Sequence, residues 1–231
     1  MPALFRTALE FGLAGTSGYA EAFLATHFLL VRHGETDWNR ERRIQGQSNS
    51  ALSPAGILQA NAVARRLAGE GADALVASDL GRTLQTAAPI SAATGLAIQA
   101  HSGLRERAFG IFEGRTTGEI ALSHPVEYEK WKTRVPGYAV PGGESLVLLR
   151  RRVKSALETI AATGDRKVIV VTHGGVLDAV YRIANGIDDD ARRAWALINA
   201  SVNGLVIDGS DWGIVAWGEV AHLEAAQDEP R

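Results

Sequence analysis

Two stretches of this chain share one design. Phe28-Leu29-Leu30-Val31 is an unbroken apolar run, and Arg32-His33-Gly34-Glu35 follows at once. Val168-Ile169-Val170-Val171 is another such run, followed by Thr172-His173-Gly174-Gly175. An unbroken apolar run fits a strand buried on both faces, as in a parallel sheet. In open α/β sheets, ligands sit just beyond the carboxyl ends of the strands, where both His-Gly pairs fall. Arg32 offers a planar, forked cation suited to phosphate. Gly34 lets the backbone turn sharply beside a ligand. An imidazole is uncharged and basic near pH 7. His33 is therefore the candidate for the chemistry. His-Gly alone is no signal, since six His and 25 Gly yield about 0.65 such pairs by chance. The strand ahead of each pair gives it weight. The bland alternative is a polar turn closing a strand, and the second occurrence argues against it.

The run Arg32-His33-Gly34-Glu35-Thr36, with Asn39 after it, resembles the histidine phosphatase superfamily. That family includes the cofactor-dependent phosphoglycerate mutases and many phosphomonoesterases. Further motifs match it in the family order. Ser78, Arg82, Thr86 and Ala87 fit a Ser-x-x-x-Arg-x-x-x-Thr-Ala pattern, and Leu104, Glu106, Gly110 and Gly114 fit Leu-x-Glu followed by Gly-x-x-x-Gly. Gly142-Gly143-Glu144-Ser145 and Thr172-His173-Gly174-Gly175 complete the set.

The resemblance implies a phosphoglycerate mutase-like fold: an α/β three-layer sandwich with a mostly parallel central sheet flanked by helices. It implies a phosphohistidine on His33, with His173 as second catalytic histidine and Glu106 as proton donor. Arg32, Arg82, His173 and Asn39 would hold the phosphoryl group. Gln45, Gly46 and Gly174 are further candidates for substrate contact, and Glu144 for the site edge. Phe109, Ile111 and Phe112 offer the apolar setting that suits a general acid. Glu113 is the competing carboxylate, read as a loop or structural residue. No metal and no cofactor are implied, and the partner is a small-molecule phosphomonoester, with a homodimer left open.

These residues need elements to position them. Residues 40–50 are polar and read as a loop. Ser53-Pro54 fits a helix cap followed by proline at the first helical position, and Gly69 and Gly71 end that helix. Ala74 to Ala77 is a short strand, Ile98 ends another, and 107–140 is an insertion, helical in part, placed as a lid. Ser145 or Glu144 caps a helix to about Thr163, buried through Leu149, Val153, Leu157 and Ile160. Arg150, Arg151, Arg152 and Lys154 read as its solvated face. Val176 to Ala184 is helical, strands follow near Ser201–Ile207 and Ile214–Trp217, and His222 reads as a surface residue. The expected domain is 27–223, preceded by an extension, 1–26, and followed by a polar tail, 224–231. The family's first strand usually lies close to the amino terminus, so the extension is a departure. Its single Arg and interrupting acids fit a secretory leader poorly.

Composition narrows the field. With 231 residues, 46% apolar, a net charge of −2 and no cysteine, the chain suits one α/β core. It offers no global field for nucleic acid and no thiolate chemistry. No apolar stretch is long enough to span a bilayer, and the expected location is cytoplasmic. No His-Glu-x-x-His and no Gly-Lys pair occurs, which disfavours a metallophosphatase or a P-loop enzyme. Two other readings stay open: a cofactor-dependent mutase and a non-catalytic phosphate-binding module. Ala108, Phe109 and Thr117 stand where resembling mutases carry His, Tyr and Lys, which favours a phosphatase with an aromatic, weakly charged wall. Arg42, Arg43, Arg107 and Arg115 are the cations able to turn inward and supply charge there.

Overall fold

The computed structural model of the protein describes residues 25–225. Residues 1–24, with most of the expected extension, and residues 226–231 of the expected tail lie outside the described residues.

The first strand is β1 (Thr26–Arg32), beginning two residues before the apolar run at Phe28. A single capped turn, α1 (Asp37–Arg40), and the helix α2 (Pro54–Leu67) lead to β2 (Ala74–Ala77). Ser53 caps α2, accepting the Gly56 N–H with Pro54 at the first position. The helix α3 (Gly81–Thr94) ends at left-handed Gly95 and leads to β3 (Ile98–Ala100), which Ile98 begins rather than ends. The insertion contributes α4 (Thr117–Ser123) and α5 (Pro125–Lys132). Then come α6 (Leu146–Ala161), β4 (Lys167–Thr172), α7 (Gly174–Asn185), β5 (Val202–Asp208), β6 (Asp211–Glu219) and α8 (Ala221–Ala225).

The sheet order is β3-β2-β4-β1-β5-β6. The first four strands pair in parallel, β5 runs antiparallel to β1, and β6 antiparallel to β5. Five of the six strands thus point one way. Successive side chains of β4 alternate between two cores. Val168 and Val170 face Leu149, Val153, Leu157 and Leu177 of α6 and α7. Ile169 and Val171 face Val63, Leu67, Ala87 and Ile90 of α2 and α3. Helices on both faces explain why the strands read as continuous apolar runs. A third, smaller cluster of Phe112, Ile120 and Val140 sits in the insertion, with Phe109, Tyr128 and Trp131 packed against it.

Two surface expectations need correction. Arg152 is not solvated: it grips both Glu144 oxygens at 2.9 and 2.7 Å and donates to the carbonyls of Gly103 and Arg105. It lies three residues after buried Leu149 and four before buried Ala156, at the margin of the helix's buried stripe. Arg150 pairs with Asp189 at 3.0 Å, which leaves Arg151 and Lys154 as the exposed members of the run. His222 is half-buried, bonding to the Ala200 carbonyl at 2.9 Å, and burial lowers its pKa.

Candidate active site

Parallel pairing aligns the carboxyl ends of β1, β2 and β4, and backbone bonds continue the ladder past them. The His33 N–H donates to the Thr172 carbonyl and the Ser78 N–H to the Val171 carbonyl, each at 2.9 Å. His33, Ser78 and His173 therefore emerge side by side, and the two imidazole centroids lie 5.3 Å apart. The antiparallel β5 starts at the same edge. Asn199, just before it, donates to the His33 carbonyl at 2.9 Å.

His33 is buried, and its Nδ1 lies 2.8 Å from the Gly34 carbonyl. A carbonyl only accepts, so Nδ1 carries the proton and Nε2 keeps the lone pair. Burial, with Arg32 and Arg82 nearby, holds the His33 pKa well below its ordinary value. The Gly34 N–H in turn donates to Thr86 Oγ1 at 3.0 Å. Any side chain at Gly34 would meet the Gly56 carbonyl at 2.5 Å, so the close crossing of chain segments here needs glycine.

Arg82, fully buried at the start of α3, donates to the carbonyls of Ser48 at 2.9 Å and Gly46 at 2.7 Å. Burial lowers its pKa to about 10, still cationic at neutral pH, with Glu106 and Glu113 opposing the shift. Arg32 donates to the Leu197 carbonyl, and burial lowers its pKa too. His173 bonds through Nε2 to Ser78 Oγ at 2.8 Å, and burial with Arg82 and His33 holds its pKa well down. Arg32 Nε, Arg82 Nε and His173 Nδ1 are buried and have no partner among the described residues. Buried polar groups are nearly always bonded. Three orphans in one charged cluster fit an anion with several acceptor oxygens.

Glu106 accepts the N–H of Arg107 at 2.8 Å and of Gly175, in the first turn of α7, at 3.0 Å. A Cβ at Gly175 would sit 2.1 Å from Glu106 Oε1. Phe109, Ile111 and Phe112, expected to surround Glu106, belong to the insertion's own apolar cluster. Glu113 accepts from the N–H groups of Gln47, Ser48 and Phe109 and from the Ser48 hydroxyl, at 2.6–3.0 Å. It thereby fixes the loop whose carbonyls hold Arg82. Burial would raise its pKa, but these bonds outweigh that and lower it.

The remaining candidates fall out differently. Asn39 Oδ1 completes the capping box of α1 with Thr36 and also accepts from Asn199 Nδ2 at 3.4 Å. Gln45 is buried with Oε1 unpartnered. Gly46, left-handed at φ 54, acts through its carbonyl on Arg82. Gly174 borders a cavity of about 390 Å³ that also meets Arg32, Glu106, Phe109, Trp131 and Trp195. Glu144 is tied to Arg152. The cavity wall is not weakly charged, because Arg107, Arg134 and Arg193 line it. Arg107 does turn inward. Arg43 pairs with Glu41 and Glu119, Arg115 bonds to the Ile111 carbonyl, and Arg42 is exposed. Thr117 is exposed at the start of α4 and lines neither that cavity nor its neighbour. Among the described residues, no three His, Asp or Glu side chains gather as a metal ion would need.

The sequence pattern of the histidine phosphatase superfamily (branch 1) matches residues 28–220. The chain belongs to this superfamily. A curated relative, "Probable phosphoglycerate mutase GpmB" of Yersinia pestis, is 37% identical over 205 residues, covering 84% of this chain and 94% of the relative. The solved structure of Bacillus stearothermophilus YhfR matches with a TM-score of 0.80 and 30% identity, over 86% of this chain and 99% of that one. A mycobacterial glucosyl-3-phosphoglycerate phosphatase matches with a TM-score of 0.73 and 31% identity, over 85% and 100%. For a histidine phosphatase with such neighbours, phosphoryl transfer at histidine is the supported chemistry. No helix among the described residues is long and apolar enough to cross a membrane.

Proposed function

We propose that this histidine phosphatase hydrolyses phosphomonoesters through a phosphohistidine on His33. The observation that carries the reading is the His33 Nδ1 bond to the Gly34 carbonyl, which leaves a neutral Nε2 among orphaned cationic donors. Arg32, Arg82 and the Nδ1 of His173 would bind the phosphoryl oxygens and stabilise charge on the transferring group. Nε2 attacks phosphorus as the bond to the ester oxygen breaks. Glu106, acting as an acid, gives that oxygen its proton. Water then attacks the phosphohistidine while Glu106 takes the water's proton, and the P–N bond breaks to release phosphate and restore His33. The arginines supply the neutralising charge, so no step is routed through a metal.

Rapid quenching with labelled substrate should trap acid-labile, base-stable phosphate on wild type and none on His33→Ala, which should lose nearly all turnover while staying folded. Undiminished turnover by His33→Ala would sink the assignment.

A second reading, phosphoglycerate mutase, is favoured by the cavity arginines and by the name of the 37% identical relative. The aromatic wall and the cavity's size favour hydrolysis of a larger ester.

A further inference from the structure

The cavity that Arg32, Glu106 and Gly174 border has a volume of about 390 Å³, room for many waters. A second cavity of about 270 Å³ lies between the insertion and the start of α6, and Arg107, Trp131, Arg134 and Leu146 border both. The two differ in charge. The larger mixes signs, with Glu106 and Asp178 beside Arg32 and Arg193. The smaller is lined by Arg107, Lys132 and Arg134 and by no acid.

Lys132 is spoken for, pairing with Glu129 at 3.0 Å. Arg107 and Arg134 are not. Arg107, 7% exposed, donates to the carbonyls of Glu144 at 2.7 Å and Tyr138 at 3.3 Å. Arg134 donates to the Asp189 carbonyl at 3.1 Å, and its Nε is buried without a partner among the described residues. Neither forms an ion pair there. The carboxylates that act on Arg107 are themselves engaged, Glu144 by Arg152 and Glu106 by two backbone N–H groups. Burial, with Arg134 adding to it, lowers the pKa of Arg107 against those two acids. Arg134 also sits at φ 55, left-handed backbone that a non-glycine residue adopts at a cost. A purely structural role, tying the insertion to α6, accounts for the carbonyl bonds. It does not account for a buried Arg107 and a half-buried Arg134 side by side with no counter-ion, nor for the orphaned Nε. Unpaired buried charge is costly, and an anionic ligand removes the cost.

We propose that the substrate's alcohol portion carries a second anionic group beyond an apolar body. The phosphoryl group lies at His33, the body along Phe109, Trp131 and Leu146, and the second anion at Arg107 and Arg134. This inference rests on the phosphatase reading and names the substrate class of that same site.

A matched pair of aryl esters tests it: 3-(4-phosphonooxyphenyl)propanoate and its neutral primary amide. The full-length enzyme should prefer the carboxylate by about tenfold or more in kcat/KM, as a charge-assisted bond implies. Added salt should shrink the preference. Arg134→Gln should bring the ratio near one, and Arg134→Lys should keep part of it. A wild-type ratio near one, with both esters hydrolysed, overturns the second-anion site and leaves the phosphatase reading standing. So does a ratio that Arg134→Gln leaves unchanged in protein shown to be folded. Hydrolysis of neither ester, with rapid interconversion of phosphoglycerates, overturns the phosphatase reading instead.

Discussion

At the scale of single residues, the two histidines control the pH response. Both have pKa values held well below the ordinary 6.5, first by burial and then by the flanking charges. In the unfolded chain they titrate near that ordinary value. Below about pH 6.5 the unfolded state therefore binds more protons than the native state. The native state loses stability as pH falls, by up to about 1.4 kcal/mol per pH unit for each histidine. Melting temperatures between pH 7.5 and 5 should fall on the acid side, and His33→Gln should flatten the decline. An unaltered slope in that variant would show that His33 is not buried in neutral form. Glu106 makes a different prediction. Glu106→Gln should slow alkyl phosphates far more than aryl phosphates, whose leaving groups need little protonation. Equal losses on both classes would point to a structural role. These residues were legible in the sequence because each follows a strand or opens a helix at one sheet edge. Ser78 was visible as a motif position, but its bond to His173 was not. Asn199 was not read as a site residue at all, since it reaches His33 across 166 residues through an antiparallel strand.

At the scale of elements, two loop-to-helix junctions hold the machinery. The first turn of α7 supplies the Gly175 N–H to Glu106, and a Cβ there would have to push the Glu106 carboxylate aside. Gly175→Ala should displace the carboxylate and lower kcat on alkyl phosphates at least tenfold, as misplacement of a reacting group does. Gly174→Ala, whose Cβ would meet Arg32 Nε at an ordinary 3.5 Å, should cost less. Parity between the two would contradict the geometry. The second junction is the 45–48 loop, pinned by Glu113 beneath Arg82. Glu113→Gln should lower stability by about 1–2 kcal/mol, a figure reduced for its partial exposure, and weaken phosphate binding through Arg82. Urea unfolding and phosphate inhibition measure the two effects separately. Helix and strand placement was largely legible, since caps such as Ser53-Pro54 and two-faced apolar runs announce themselves. The insertion was not. Its side chains pack on one another through Phe112, Ile120 and Trp131, and no periodicity tells which arginine turns inward. Arg152 was misread because it borders the buried stripe of α6 instead of opposing it.

At the scale of the whole molecule the choice lies between releasing phosphate to water and returning it to a second hydroxyl. A mutase must keep its phosphoenzyme intact while product and intermediate exchange, so the cavity must close tightly on a small, charged three-carbon body. This cavity is about 390 Å³ and is walled by Phe109, Trp131 and Trp195 as well as by arginines. On the proposed mechanism, a glycerate bound there would leave part of the cavity next to Arg32 and Glu106 open to water, which would attack the phosphoenzyme. The positions that resembling mutases use for their second charge hold Ala108, Phe109 and exposed Thr117. Arg107 and Arg134 do carry charge, and they stand where this cavity meets the adjoining 270 Å³ one, a position that on the proposed reading suits a longer alcohol than glycerate. Incubation with 3-phosphoglycerate and catalytic 2,3-bisphosphoglycerate, following 2-phosphoglycerate and free phosphate together, tests this balance. Phosphate should appear from several unrelated monoesters while little 2-phosphoglycerate forms. Isomerisation running well ahead of phosphate release would overturn the phosphatase reading. The small acceptor would then be shielded from water despite the open wall, which only closure of the 107–140 insertion over His33 would explain.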